Sequence, residues 1–384
     1  MAQSIGPFHA AFHANTFRKQ LHKYPELSCH EVQTADAIAQ QLTLFGLNPV
    51  VGVEGYGVLC VITGSEPGET TLLRADFDAI PVNEKNPVDH ASIYPGVMHA
   101  CGHDGHTTSL IMVAHQLSQS PPKRGTVILV FQPAEEIGTG AASMLNHPAL
   151  KGLNVDNAFA YHNLPGQPLH EIVVKKGTFS CASIGLSIDL EGKTSHAAYP
   201  ENGVSPLNAM IEILQYLQTL PDSYPEEFSL VTIVNAELGE RAFGVAAGSA
   251  KIMATLRSDC NATFLDIQKR VQRTLQRIEQ NTKLDINYSW HEPFNAAVNS
   301  SHHVDLIRQH ATKLNLAVTE LETPMRWSED FAEFLLRYQG ALFGIGSGVS
   351  HPELHNPDYD FPDEILETAC SLYVSIIRQI HGQD

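Results

Sequence analysis

The sequence predicts an α/β domain interrupted by a smaller inserted α+β domain. Three observations carry this. Near-continuous apolar runs alternate with helical patterns up to about residue 180, the mark of a largely parallel sheet covered by helices on both faces. The pattern then changes to alternating half-buried strands and two amphipathic helices. The chain has 384 residues, and single cores rarely grow past roughly 250–300 residues.

The elements follow in order. Residues 14–46 read as a helix with an internal turn, since Ala35, Ile38, Leu42 and Phe45 recur at helical spacing. Val58–Thr63 and Thr71–Phe77 are apolar enough to be buried strands, His106–Leu117 reads as a helix, and Thr126–Phe131 as another buried strand. Ile184, Leu186, Ile188 and Leu190 then alternate with small or polar residues. A helix at Val204–Leu217, strands at Phe228–Leu238 and Ser249–Arg257, a helix at Ala262–Gln280 and a strand at Leu284–His291 complete the order β-α-β-β-α-β, a ferredoxin-like unit. After Pro293 the chain returns to a helix, a strand (Ala341–Ile345) and a last helix (Glu364–Ile380). The expected organisation is 1–180 and 294–384 as one domain, with 181–293 inserted.

Composition narrows the function. A formal charge of −18 repels phosphate backbones and anionic lipid, so neither nucleic acid nor membrane is an expected partner. No apolar run reaches the roughly 20 residues of a bilayer span. The N-terminal MAQSIGPFHAAFHANTFRK lacks a basic region followed by an apolar one, and six scattered cysteines form no disulfide pattern. A reducing cytoplasm is the expected compartment.

Candidate chemistry gathers at strand ends, where such sheets bind ligands. Cys101-Gly102-His103 offers two metal-ligating side chains, and its glycine lets the backbone turn tightly; taken alone it is equally a glycine-rich loop. Glu135-Glu136 follows the strand TVILVFQ. Adjacent residues on extended chain face opposite ways, so one carboxylate can ligate a metal while the other faces a water. His162 ends a short apolar stretch, and either His351 or His355 follows the strand near 341–345. Asp76 and Asp78, two apart, can ligate a metal or hold a ligand histidine by its second nitrogen.

These stretches together resemble the M20 peptidase family, in its branch of N-acyl-amino-acid, hippurate and auxin-conjugate amidohydrolases. The matching segments are LHKYPELSCHE (21–31), RADFDAIPV (74–82), MHACGHDGHT (98–107), VFQPAEEIGTGA (130–141), YHNLPG (161–166), KTSHAAYPENGVSP (193–206), SEDFAEFL (328–335) and LHNPDYDF (354–361), in family order. The resemblance implies a zinc-peptidase-like catalytic domain with an inserted dimerisation, or lid, domain. It implies two divalent metal ions (Zn, Mn, Co or Ni) held by Cys101, His103, Glu136, His162 and His355, with Cys101 bridging or near both. Its pattern selects His355 over His351. Glu135 fits the general base, and His196 fits a lid histidine that reaches the neighbouring subunit and polarises the scissile carbonyl. A homodimer through residues 181–293 follows. Arg257, ending KIMATLR, is positioned to pair with a substrate carboxylate. The expected reaction is hydrolysis of N-acyl amino acids.

Two segments depart from the pattern. Phe243–Gly248 stands where relatives carry an Asn-Val-Ile-Pro-like stretch, and Glu201 replaces the final histidine of His-Ala-Ala-x-Pro-His. Competing readings are an M20-type dipeptidase or aminopeptidase, disfavoured by Asp76-Phe77-Asp78 in place of His-x-Asp, and a non-catalytic binder of small carboxylates, disfavoured by retention of Glu135. Gly344-Ile345-Gly346-Ser347-Gly348 resembles a dinucleotide turn but precedes no helix.

Overall fold

A computed structural model describes residues 12–383; the stretch 1–11, which bears on the expected lack of a signal segment, lies outside them. The described residues divide into two compact units, one of residues 12–179, 297–323 and 330–383, the other of 180–296 and 324–329.

The larger unit is built on an eight-stranded sheet, in the order 49–53, 57–63, 124–132, 66–76, 157–165, 340–348, 172–174 and 318–320. Its four central strands run parallel. The strands flanking them, 57–63 and 172–174, are antiparallel to their inner neighbours. The sheet is therefore mixed, with a parallel centre. Period-2 alternation sends Leu73, Ala75, Leu129, Phe131, Phe159 and Tyr161 into one core with the helices Val32–Leu44, His103–Gln119, Ser301–Lys313 and Ile365–His381. The intervening Arg74 and Gln132 face the other side, where they meet Asp330 beside the short helix Gly140–Asn146. Strands 49–53, 172–174 and 318–320 were not expected; each is at most five residues long, too short for a periodic signal.

Helix His103–Gln119 begins three residues before the expected His106. The cause is Gly102, which caps the helix at φ 94°, a left-handed conformation that suits glycine. Cys101 and His103 thus lie on either side of a helix N-terminus.

The smaller unit has a four-stranded antiparallel sheet in the order 229–238, 249–258, 182–191 and 285–294. Two helices, Leu207–Thr219 and Asn261–Asn281, pack on it through Ile213, Leu217, Ile267, Val271 and Leu275. This is the ferredoxin-like order. The first helix starts at Leu207 rather than Val204 because Pro206 precedes it. Segment 324–329 belongs here because the Cys181 N–H donates to the carbonyls of Met325 and Trp327. Among the described residues, no helix is long and apolar enough to cross a membrane.

Candidate metal centre

The carboxyl ends of the central parallel strands carry the candidate residues. Asp76 ends strand Glu66–Asp76, Glu135 and Glu136 follow Arg124–Gln132, His162 lies late in Asn157–Pro165, and His355 follows Gly340–Gly348. Two residues here take a strained left-handed backbone without being glycine: Ala134 (φ 54°), immediately before Glu135, and His355 (φ 64°). The His355 N–H donates to the Ala100 carbonyl at 2.8 Å, which pins its segment beside the Cys101 loop.

Cys101, His103 and His162 form one group whose ligand atoms lie within 4.8 Å of one another; Cys101, Glu136 and His355 form a second. The groups share Cys101. The Cys101 Sγ is 3.4 Å from His162 Nε2, His103 Nε2 is 3.7 Å from Glu136 Oε1, and His355 Nε2 is 3.6 Å from that same oxygen. The two longer separations exceed an ordinary hydrogen bond of about 2.9 Å. They match the spacing of donors around one ion, because bonds of roughly 2.0–2.3 Å at tetrahedral angles place donors about 3.3–3.8 Å apart. His103 Nε2 and Glu136 Oε1 are moreover buried without a hydrogen-bond partner, a costly state that an ion between them would relieve. The donor set of thiolate, imidazole and carboxylate fits a divalent transition metal.

The second nitrogens of His103 and His162 are occupied. His103 Nδ1 faces the Asp78 carbonyl at 2.9 Å and Asp78 Oδ1 at 3.2 Å. His162 Nδ1 faces the Asn163 carbonyl at 2.8 Å. Each arrangement turns Nε2 toward the cluster. Burial opposes a proton on His103, but Asp76, Asp78 and Glu136 outweigh it and raise the ring to about 10. The acidic surroundings favour a positive charge there, and an ion bound at Nε2 would displace that proton. Burial, helped by His106, holds His162 well below the usual imidazole range, which keeps it neutral as a metal ligand must be.

Asp76 and Asp78 divide their tasks. Asp78 accepts from Ser28 Oγ (2.7 Å) and the Glu136 N–H (3.0 Å) as well as facing His103. Asp76 takes Arg74 Nη1–H at 2.7 Å and lies 2.6 Å from His106 Nδ1. Glu135 is buried, shares a group with His103 and Glu136, and accepts from the Asp330 N–H at 3.3 Å. His351 stands outside every ligand group among the described residues, its Nδ1 facing the Pro352 carbonyl.

His196 and Arg257 lie in the smaller unit. His196 is exposed in the two-residue strand Ser195–His196, paired with Val245–Ala246. The departing segment 243–248 is thus the support of the His196 loop. Arg257 is half-buried and donates from Nη1 to the Arg326 carbonyl (2.9 Å) and Ser328 Oγ (3.2 Å).

Charged groups that were not among the expected site residues stand behind the site. Arg18, fully buried, bonds Asp104 (3.1 Å), Asp360 (2.7 Å) and Asp363 (2.6 Å), joining the Cys101 loop to the segment after His355. His22 Nδ1 lies 2.9 Å from Asp104. Arg74 and Gln132 together hold Asp330. One signal was available: an arginine inside the apolar run Thr71–Phe77 needs buried anionic partners.

A mixed α/β fold with candidate metal-ligand groups at the carboxyl ends of its central strands is the arrangement expected of a metal-dependent enzyme. Comparison with known proteins makes the assignment specific: residues 72–379 match the model of peptidase family M20/M25/M40, and the chain belongs to that family. It is 30% identical to an N-acetyl-L-cysteine deacetylase of Bacillus subtilis over 96% of this chain and 88% of that protein. It is 30% identical to a hippurate hydrolase of Campylobacter jejuni over 94% of each. The structure resembles Bacillus subtilis YXEP, described as a dinuclear metal-binding peptidase of the M20 family, with TM-score 0.81, 28% identity, and coverage of 96% of this chain and 97% of that one.

Proposed function

We propose that this protein is a metal-dependent amidohydrolase that cleaves the linear amide of N-acyl amino acids, releasing the acyl group and the free amino acid. The observation that carries the reading is the pair of ligand groups sharing Cys101, with the buried Glu135 carboxylate beside them. Deacetylase and hippurate hydrolase relatives at 30% identity over nearly the whole chain support amide rather than peptide cleavage.

Cys101, His103, Glu136, His162 and His355 would hold two divalent ions of the Zn, Mn, Co or Ni class. Such ions supply Lewis acidity to the carbonyl and to the attacking water. Glu135 takes the proton of that water and returns it to the leaving nitrogen. The Asp330 N–H donates to Glu135 Oε1, which helps fix the carboxylate. His196 is the donor assigned to the developing oxyanion, and Arg257 the partner of the substrate carboxylate.

His196 acts on a second copy of the chain, in a homodimer formed through the smaller unit. In support, that unit exposes apolar side chains on edge strand Ser229–Leu238 (Val234, Leu238) and on helix Leu207–Thr219 (Leu207, Ile211).

The test is a panel of N-acetyl, benzoyl and indole-acetyl amino acids incubated with protein loaded with Zn²⁺, Mn²⁺, Co²⁺ or Ni²⁺ and read by mass spectrometry. The expected result is cleavage by wild type, and a Glu135→Ala variant that keeps its metal but loses about 10²–10⁴-fold in turnover. No cleavage of any member at full metal occupancy would refute the assignment.

A further inference from the structure

His106 belongs to the same motif as Cys101 and His103, yet its ring is committed elsewhere. Its Nδ1 is 2.6 Å from Asp76 Oδ1, and its Nε2 is 2.6 Å from Asn163 Oδ1. Both nitrogens face oxygen at short range, so His106 is spent as a bridge rather than open as a ligand. Asp76 is itself fixed by Arg74 Nη1 at 2.7 Å. Beyond His106, Asn163 Nδ2 donates to the Tyr359 hydroxyl at 2.6 Å. All five side chains are buried.

Asn163 is where this chain of contacts meets the centre. Its main-chain carbonyl faces His162 Nδ1, and its amide engages Tyr359, four residues after His355. Packing leaves little slack: a Cβ at Gly102 would lie 2.5 Å from Asn163 Oδ1 and 2.7 Å from the Tyr359 hydroxyl. The His106 ring also sits 4.8 Å from His162 and 5.5 Å from His103, centroid to centroid.

We propose that His106 is a positioning residue, the hub of a buried chain Arg74–Asp76–His106–Asn163–Tyr359 that aligns His162 and the His355 segment as one unit. The inference rests on the metal-centre reading above. Breaking the chain at its far end frees only the His355 branch; breaking it at His106 frees both.

The test is stepwise affinity for Zn²⁺ and Co²⁺ in the full-length protein, by competition with a chromophoric chelator, alongside the thiolate-to-Co²⁺ absorption band. Tyr359→Phe is expected to weaken one of two ions by about 10–100-fold, the usual cost of losing an outer hydrogen-bond partner, with the thiolate band retained. His106→Gln is expected to weaken both. Tyr161→Phe is the control for a merely structural effect. It removes an equally buried hydroxyl, 2.8 Å from Ser109 Oγ and outside the chain, and is expected to leave both affinities unchanged. Wild-type affinities in Tyr359→Phe and His106→Gln, or equal loosening in Tyr161→Phe, would overturn the proposal. A wild-type protein that takes up no ion would instead overturn the metal centre itself.

Discussion

Raising the pH should weaken the fold, and the contribution of one buried histidine, His22, can be isolated. The His22 side chain is fully buried, with Nδ1 2.9 Å from Asp104 and Nε2 3.2 Å from Glu84. Burial disfavours its charged form, but the hydrogen bond and charge of Asp104, aided by Glu84, raise it from 6.5 to about 9. At 1.36 kcal/mol per pKa unit the difference is worth about 3 kcal/mol. The sign follows from proton linkage. Because the folded value is the higher one, the stabilisation is fully present below pH 6.5 and is lost as pH rises through 9. Urea unfolding of wild type and His22→Gln, measured from pH 6 to 9.5, isolates the effect. The variant keeps an N–H for Asp104 but cannot titrate. Wild type should lose about 3 kcal/mol more than the variant across that range. Parallel profiles for the two proteins would refute the reasoning.

Other outcomes follow from the geometry. His355→Ala should retain one of two ions and His351→Ala both, as read by metal analysis after gel filtration, because only His355 stands with Cys101 and Glu136. Gly105→Ala should lower the melting temperature and cost about 1–3 kcal/mol by overpacking, since its Cβ would lie 2.3 Å from the Phe361 ring. Val234→Arg, on an exposed edge-strand position, should shift light-scattering mass toward the monomer; an unchanged dimer would place the interface elsewhere.

Much of the candidate centre was legible in sequence because its candidate ligands are strand-end or loop residues next to strongly apolar segments. Those segments have a period, and the position after a buried parallel strand has a known relation to the sheet edge. Glu135, Glu136 and His162 could be placed that way, and Cys101 and His103 by the glycine-bearing loop before a helix. The histidine choice could not be made from composition, since His351 and His355 follow the same strand. Only a left-handed turn at His355 and its bond to Ala100 bring that ring to the cluster. The smaller unit was legible as well, up to its edge. Segment 324–329 joins it through backbone hydrogen bonds to Cys181, pairs over 140 residues apart that leave no local trace.

The sequence by itself determined the fold class, the inserted ferredoxin-like unit and the ligand types at the sheet edge, because hydrophobic period and turn chemistry are local properties. The tertiary structure alone decided what stands behind the ligands. Arg18 finds Asp360 and Asp363 more than 340 residues away, Arg74 finds Asp330 across 256, and His106 reaches Tyr359 through Asn163. Buried charges must be paired wherever the chain brings a partner, and which partner arrives is a property of the packed core.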